Sequence, residues 1–304
     1  MRTTTLAGVR IDLHTHSRRS DGTEPPAAVV RAAYAQEVDV LALTDHDTTV
    51  GWAEAAEAAQ ELGVVFVPGL EISCSYAGYG VHLLGYLPDP SYPPLVEELD
   101  RVLRGRDGRL PAVLEKLNAL GVPVEVDEVR ELAGDAAAIG RPHIADALVA
   151  RGVVASRGEA FDRFLGPQGP AYVKRYAADL EEMIGLLDEA GGVSVIAHPW
   201  AARHNHDALD HAGLARLREV GLAGIEVDHE DHGDDARTAL RELADELDLV
   251  ATGSSDYHGL GKRGHRLGCN TTEPEQLDRL LARADAAAAR SGRPTPGVVG
   301  TVAR

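Results

Sequence analysis

Cysteine is nearly absent: Cys74 and Cys269 are the only two in 304 residues. That is too few for a disulfide framework or a thiolate metal site, so any metal must rely on histidine and carboxylate. Positive charge is also short. Thirty Lys and Arg against 48 Asp and Glu leave a formal charge of −18, and nothing in that total neutralises the backbone of a long nucleic acid. A local site can still hold a small anion. Lysine is reduced to Lys116, Lys174 and Lys262, and the aromatics to three Phe, two Trp and eight Tyr, too few for a long stacking groove along a single strand. No stretch approaches the roughly 18 apolar residues of a membrane span, and "MRTTTLAGVR" lacks the apolar core of a secretory signal. The expected setting is soluble and cytoplasmic, with no membrane partner.

What the chain does have is 44% hydrophobic composition and enough length for one large α/β barrel. Apolar, β-branched segments at 9–14, 38–44, 64–72, 80–87, 192–197, 223–228 and 249–254 alternate with helical ones such as "PPAAVVRAAYAQE" and "DARTALRELADELD", the pattern of βα units around a parallel sheet. Residues 95–175 break that rhythm. "LVEELDRVL", "LPAVLEKLNALG", "RPHIADALVARG" and "GEAFDRFLG" read as short helices, with no strand until "AYVKRY". The expected organisation is a barrel from 1–94 and 176–304, with 95–175 as a helical insertion capping it.

The chemistry gathers where barrel enzymes build their sites, at the carboxyl ends of strands. In "IDLHTHSRRSDG", Ile11 and Leu13 alternate with Asp12, and the period of two carries His14 and His16 onto one face. Next come Asp45, His46 and Asp47 in "LTDHD", Glu71 in "PGLEIS", His82 in "GVHLLGY", His198 in "VIAHPW", and Asp256 and His258 in "GSSDYH". One histidine at a strand end is ordinarily a structural or surface residue. Six ends each carrying imidazole or carboxylate point to metal. His204, His206, His211, His229 and His232 lie in polar segments and read as solvated, and His265 has no assigned role.

The ordered motifs "HTHSRRSDG", "LALTDHDT", "VPGLEIS", "HLLGY", "GRPHIA", "IAHP" and "GSSDYH" closely resemble the polymerase and histidinol phosphatase (PHP) family of metal-dependent phosphoesterases. The resemblance spans residues 11–258 and is nearest the stand-alone branch acting on nucleotide phosphomonoesters, 3′,5′-bisphosphates and short RNA ends. It implies a distorted (β/α)7 barrel. It also implies two or three divalent ions: His14, His16, Glu71 and Asp256 on one, Glu71 bridging to a second held by His82 and His198, and Asp21, His46 and His258 on a third. Glu71, Asp256 and His258 would be the catalytic set. Asp45 and Asp47 would either orient imidazoles or cap a helix beginning near Thr49.

Mixed imidazole and carboxylate donors suit Mn²⁺, Fe²⁺ or Zn²⁺ better than Mg²⁺ or Ca²⁺, and manganese is the first expectation. Such ions make a local positive pocket in an acidic protein. In "GRPHIA", Arg141 and His143 stand at a helix N-terminus, which favours an anion, and the resemblance implies substrate phosphate there. Arg18, ahead of Arg19, and Lys174, beside Arg175, complete the substrate-binding candidates. The main expectation is phosphomonoester hydrolysis on 5′-monophosphates or 3′,5′-bisphosphates. The alternatives are a 5′→3′ exoribonuclease on short RNA, a histidinol-phosphate phosphatase, an amidohydrolase and a noncatalytic metal module. Against the amidohydrolase, none of the three lysines ends a confident strand; against the module, all nine ligand positions are filled.

Overall fold

The computed structural model describes residues 8–201 and 205–301. Eight strands form one sheet: β1 (Ile11–Asp12), β2 (Val40–Leu43), β3 (Val65–Tyr76), β4 (Tyr79–Tyr86), β5 (Ala178–Asp179), β6 (Val193–Ile196), β7 (Gly224–Asp228) and β8 (Val250–Gly253). Their order is β1-β2-β3-β4-β6-β7-β8, with β5 on β3. The two ends approach each other through the Thr15–Tyr257 bridge, where the His16 N–H donates to the Tyr257 carbonyl at 2.8 Å. The sheet is therefore nearly closed into a barrel, and the seven strands on its path coincide with the seven apolar segments of the sequence.

Both faces of these strands are covered, so β2, "VLAL", is buried throughout instead of alternating. One residue set, including Val40, Ala42, Val65, Val67, Val195 and Val250, packs with Leu277, Leu280 and Ala284 of the helix Pro274–Ser291. The opposite set, including Leu41, Leu43 and Phe66, packs with Val29, Val30, Ala55 and Ala59 of the helices Pro26–Ala35 and Trp52–Leu62.

One strand departs from the expected βα repetition. β4 runs antiparallel to both β3 and β6, because Ala77 (φ 48°) and Gly78 (φ 87°) make a two-residue hairpin turn with positive φ at both positions. His82 consequently reaches the site from the first half of its strand, opposite Ser73, and not from a carboxyl end.

Between β4 and β5 the chain is helical: Pro93–Ala119, Val126–Ala133, Arg141–Ala150, Arg157–Ala160 and a π-turn at Phe161–Leu165. The first is a single helix of 27 residues, where the sequence reads as two, with Pro111 inside it. Proline there removes one backbone hydrogen bond. Burial on both sides of it offsets that loss: Leu95, Leu99 and Val102 pack on the barrel, and Leu110, Val113, Leu114 and Leu117 join an apolar cluster with Ile144, Leu148 and Leu165. "AYVKRY" is not a strand; the pairing begins only at Ala178.

Candidate active site

All nine expected ligand residues converge at one mouth of the barrel. His14 and His16 are fully buried, with their Nε2 atoms 3.0 Å apart. Glu71 Oε2 stands 3.4 and 3.2 Å from those two nitrogens, and Asp256 Oδ1 3.5 and 3.4 Å. Donor atoms bound at about 2.0–2.2 Å to a common ion are about 2.8–3.6 Å apart at octahedral or tetrahedral angles. Among the described residues His14, His16 and Asp256 form one group close enough to share a cation, while Glu71 groups with His14 and His198 and with His46 and His82. Glu71 Oε1 faces the other way, 2.8 Å from His82 Nδ1 and 3.2 Å from His198 Nε2. Asp21 lies 3.5 Å from His46 Nε2 and 3.3 Å from His258 Nε2. His46 Nδ1 and Glu71 Oε2 are buried 3.0 Å apart, yet neither has a hydrogen-bond partner among the described residues. A divalent ion would satisfy both. Burial pushes the His46 ring down to about 3, leaving it neutral, the form that binds metal.

These side chains sit on unusual backbone. His198 (φ 29°) and Asp256 (φ 51°) lie in the left-handed region, and such strain collects where the surroundings force a functional geometry. Gly22, next to Asp21, is a further constraint, because a Cβ there would lie 2.5 Å from the His16 carbonyl oxygen.

Supporting carboxylates stand behind the cluster. Asp45 accepts from the Ser17 N–H (2.8 Å), the Ser17 hydroxyl (2.6 Å) and the Ser20 hydroxyl (2.7 Å), fixing the turn that carries Asp21. Asp47 accepts from the Ser73 N–H (2.7 Å) and Arg106 Nε (2.6 Å). Neither bonds an imidazole and neither caps the helix, which begins at Trp52 after Gly51; both readings drawn from the sequence are corrected. Glu226 was not singled out there. It is fully buried in β7, accepts from the His198 N–H (2.8 Å) and the Ser254 hydroxyl, and faces His14 Nδ1 at 3.3 Å. A proton on that nitrogen leaves the His14 Nε2 lone pair turned to the cluster. An acid inside the apolar run "GIEVD" was its signal. Glu226→Gln should weaken metal binding about 10–100-fold, read by chelator competition; unchanged affinity would leave Glu226 a packing role.

Three histidines read as solvated or without role are buried instead. His229 stands 3.3 Å from Asp256 Oδ2, His232 Nδ1 donates to the Val227 carbonyl (2.9 Å), and His265 Nδ1 donates to the Ser255 carbonyl (2.8 Å). His229 and His232 follow closely on β7, and His265 lies in the loop beyond β8, so a polar local sequence is folded into the barrel mouth. His206, stacked on Trp200, and His211, beside Glu246, are exposed as expected. His204 lies outside the described residues.

Above the cluster opens a cavity of about 350 Å³ whose wall includes Asp21, His46, Glu71, His198, Asp256 and His258. Facing them is a basic wall of Arg106, Arg109, Arg141, Arg157, Arg175 and Lys262. Of the four substrate-binding candidates only Arg141 lies here, donating to the Leu165 carbonyl and lying over Phe161. His143 is buried beside the pocket, its Nδ1 accepting the Gly140 N–H at 3.0 Å to cap its own helix. Arg18 is half-exposed and paired with Asp135 at 3.1 Å. Lys174 is exposed, and Arg175 lines the cavity in its place. Arg106 and Arg109 were legible only as part of a buried stripe with Leu99, Val102 and Val113.

The wall has unmet charge. Arg106 is paired with Asp47, and Arg157 with Asp146. Among the described residues, Arg109, Arg141 and Arg175 have no carboxylate in salt-bridge range, and Arg109 Nε is buried without a hydrogen-bond partner. Burial, with Arg141, Arg175 and Arg106 adding repulsion, pushes Arg109 down to about 8. A guanidinium stays protonated in practice, so the depression expresses buried positive charge repelled by its neighbours.

Comparison with known proteins agrees with this geometry. The PHP domain family matches residues 12–109. A 3′,5′-nucleoside bisphosphate phosphatase from Chromobacterium violaceum is 36% identical over 283 residues, covering 90% of this chain and 99% of that one. The chain belongs to the PHP family. A 5′-3′ exoribonuclease from Haemophilus influenzae is 37% identical over 82% of this chain and 90% of its own. An inferred metal-dependent phosphoesterase from Bifidobacterium adolescentis superposes with a TM-score of 0.86 at 34% identity, over 91% of this chain and 96% of that one. This PHP chain is thus a metal-dependent phosphoesterase on a distorted barrel, with His, Asp and Glu groups able to hold metal. No helix among its described residues is long and apolar enough to cross a membrane.

Proposed function

We propose that this PHP protein removes a phosphoryl group from a small nucleotide, with 3′,5′-bisphosphates preferred to 5′-monophosphates. The observation that carries the proposal is the unpaired trio Arg109, Arg141 and Arg175 facing the carboxylate and imidazole cluster across one small cavity. A substrate with one phosphate at the cluster and a second anionic group at the trio meets both walls. The cavity volume falls at the small end of the roughly 300–1,000 Å³ usual for small-molecule sites. The segment 95–175 is the cap in this reading, since the helices Pro93–Ala119 and Arg141–Ala150 supply Arg106, Arg109 and Arg141 of the basic wall. A cytoplasmic setting, where such nucleotides occur, fits the same reading.

His14, His16, Glu71 and Asp256 would hold one ion, Glu71 with His82 and His198 a second, and Asp21, His46 and His258 a third, manganese being the first choice and iron or zinc the alternatives. Such ions supply Lewis acidity at phosphorus and water activated near neutral pH. The chain's own part is positional. Glu71 divides its oxygens between two imidazole groups, Asp256 presents Oδ1 to His14 and His16, and Arg141 offers a planar fork at the helix N-terminus.

Phosphate release from a nucleoside 3′,5′-bisphosphate, a 5′-monophosphate, histidinol phosphate, short 5′-phosphorylated RNA and a bis-aryl phosphodiester tests the reading side by side. The bisphosphate should show the highest kcat/KM, and an active preparation at least two ions per chain, with activity lost on chelation. The relatives named exoribonucleases support short RNA as the second reading. If the RNA has the higher kcat/KM, that reading replaces the first; a preference for histidinol phosphate or the diester overturns both.

A further inference from the structure

Both oxygens of Asp256 are engaged, in opposite directions. Oδ1 faces His14 and His16 Nε2 and His258 Nδ1 at 3.4–3.5 Å. Oδ2 is turned away to Lys262 Nζ at 2.6 Å and His229 Nε2 at 3.3 Å. Asp231 stands behind both partners. Its carboxylate lies 3.3 Å from the Lys262 ammonium, and its backbone N–H donates to His229 Nδ1 at 3.1 Å. A ring nitrogen that accepts a hydrogen bond carries a lone pair, so His229 is neutral and its proton sits on Nε2, directed at Asp256. His229 is fully buried. Asp256 itself lies three residues beyond the end of β8 in left-handed conformation, just before the Tyr257 bridge.

We infer that His229 and Lys262 are positioning residues that clamp Oδ2 of Asp256, so that Oδ1 alone is presented to His14 and His16. The inference rests on reading the nine-residue cluster as a metal centre. The two arms of the clamp differ in charge. His229 contributes a neutral, directed donor, and its loss frees the carboxylate to rotate. Lys262 contributes direction and a fixed positive charge, and that charge opposes any cation placed nearby.

The two arms therefore predict opposite effects on metal affinity, measured on the full chain with Mn²⁺ alone by competition with a chromogenic chelator in the absence of substrate. His229→Leu should weaken the tightest Mn²⁺ about 10–100-fold, and His229→Gln, whose amide N–H reaches the same oxygen, by less than about threefold. Lys262→Met should leave the affinity unchanged or tighter, while kcat with Mn²⁺ saturating falls and KM holds. Equal losses in the Leu and Gln variants, or weaker Mn²⁺ binding in Lys262→Met, overturn the clamp. A raised KM with kcat unchanged in Lys262→Met also overturns it, assigning the lysine to substrate phosphate. If melting curves show that His229→Leu does not fold, the Gln and Lys262 arms still decide: a loss above tenfold in the first or any weakening in the second rejects the inference. Wild-type protein that takes up no Mn²⁺ would instead reject the metal reading itself.

Discussion

Glu71→Gln should cost on the order of a hundred- to several-thousandfold in kcat/KM, the equivalent of about 3–5 kcal/mol for removing one partner of a buried charged assembly. The magnitude follows from its place. Glu71 is buried, with Oε2 within 3.4 Å of nitrogens on His14, His16 and His46 and Oε1 within 3.2 Å of His82 and His198. Glutamine keeps the volume, so the barrel core below it is undisturbed. It removes the negative charge and replaces one oxygen with an N–H₂ that has no lone pair to offer an ion. No rotation helps, since an oxygen is needed toward each of the two imidazole groups. Elemental analysis should show fewer ions per chain than in wild type at equal protein. Wild-type turnover with full metal content would remove Glu71 from the site.

Much of this site was legible because its chemistry is written at strand ends. Period-two alternation carried His14 and His16 onto the mouth of the barrel, and the apolar runs led to His198 and Asp256 there, whereas Glu71 lies inside β3, which continues to Tyr76 and does not end at residue 72. His82 reached the same mouth by a different route, since the Ala77–Gly78 turn reverses β4 and only a hairpin signal, not its strand, encodes that. The second layer was less legible. Glu226, His229 and Lys262 act through partners 20 or more residues away, or from a loop, and neither local composition nor period reveals burial produced by long-range packing. The error had a direction: His229 and His232, in polar stretches, were read as solvated and His265 was given no role, although all three are buried at the barrel mouth. On the substrate side the failure was one of phase. Lys174 and Arg175 are adjacent, and only the conformation of the unpaired segment before β5 decides which of them faces the cavity.

Arg109→Met should separate the two phosphates of the proposed substrate. Arg109 is buried, lacks a carboxylate partner among the described residues, and stands in mutual repulsion with Arg141 and Arg175. In the free protein that arrangement is unfavourable, so a neutral side chain of similar reach should leave the melting temperature unchanged or raise it, as expected where a site holds unpaired charge for its ligand. With substrate bound the sign reverses. Truncating one partner of a desolvated charge pair costs about 2–5 kcal/mol, or roughly 30- to several-thousandfold in kcat/KM. That loss should appear with a nucleoside 3′,5′-bisphosphate, whose second phosphate reaches the trio, and shrink to a few-fold with a 5′-monophosphate held at the metal cluster alone. Arg141→Ala should show the same pattern with metal content intact, because its guanidinium lies on the same wall and touches no ligand residue. Equal losses on both substrates would place the arginines on the scissile phosphate and remove the preference for bisphosphates. A lowered melting temperature with unchanged kcat/KM would return Arg109 to the packing of the long helix.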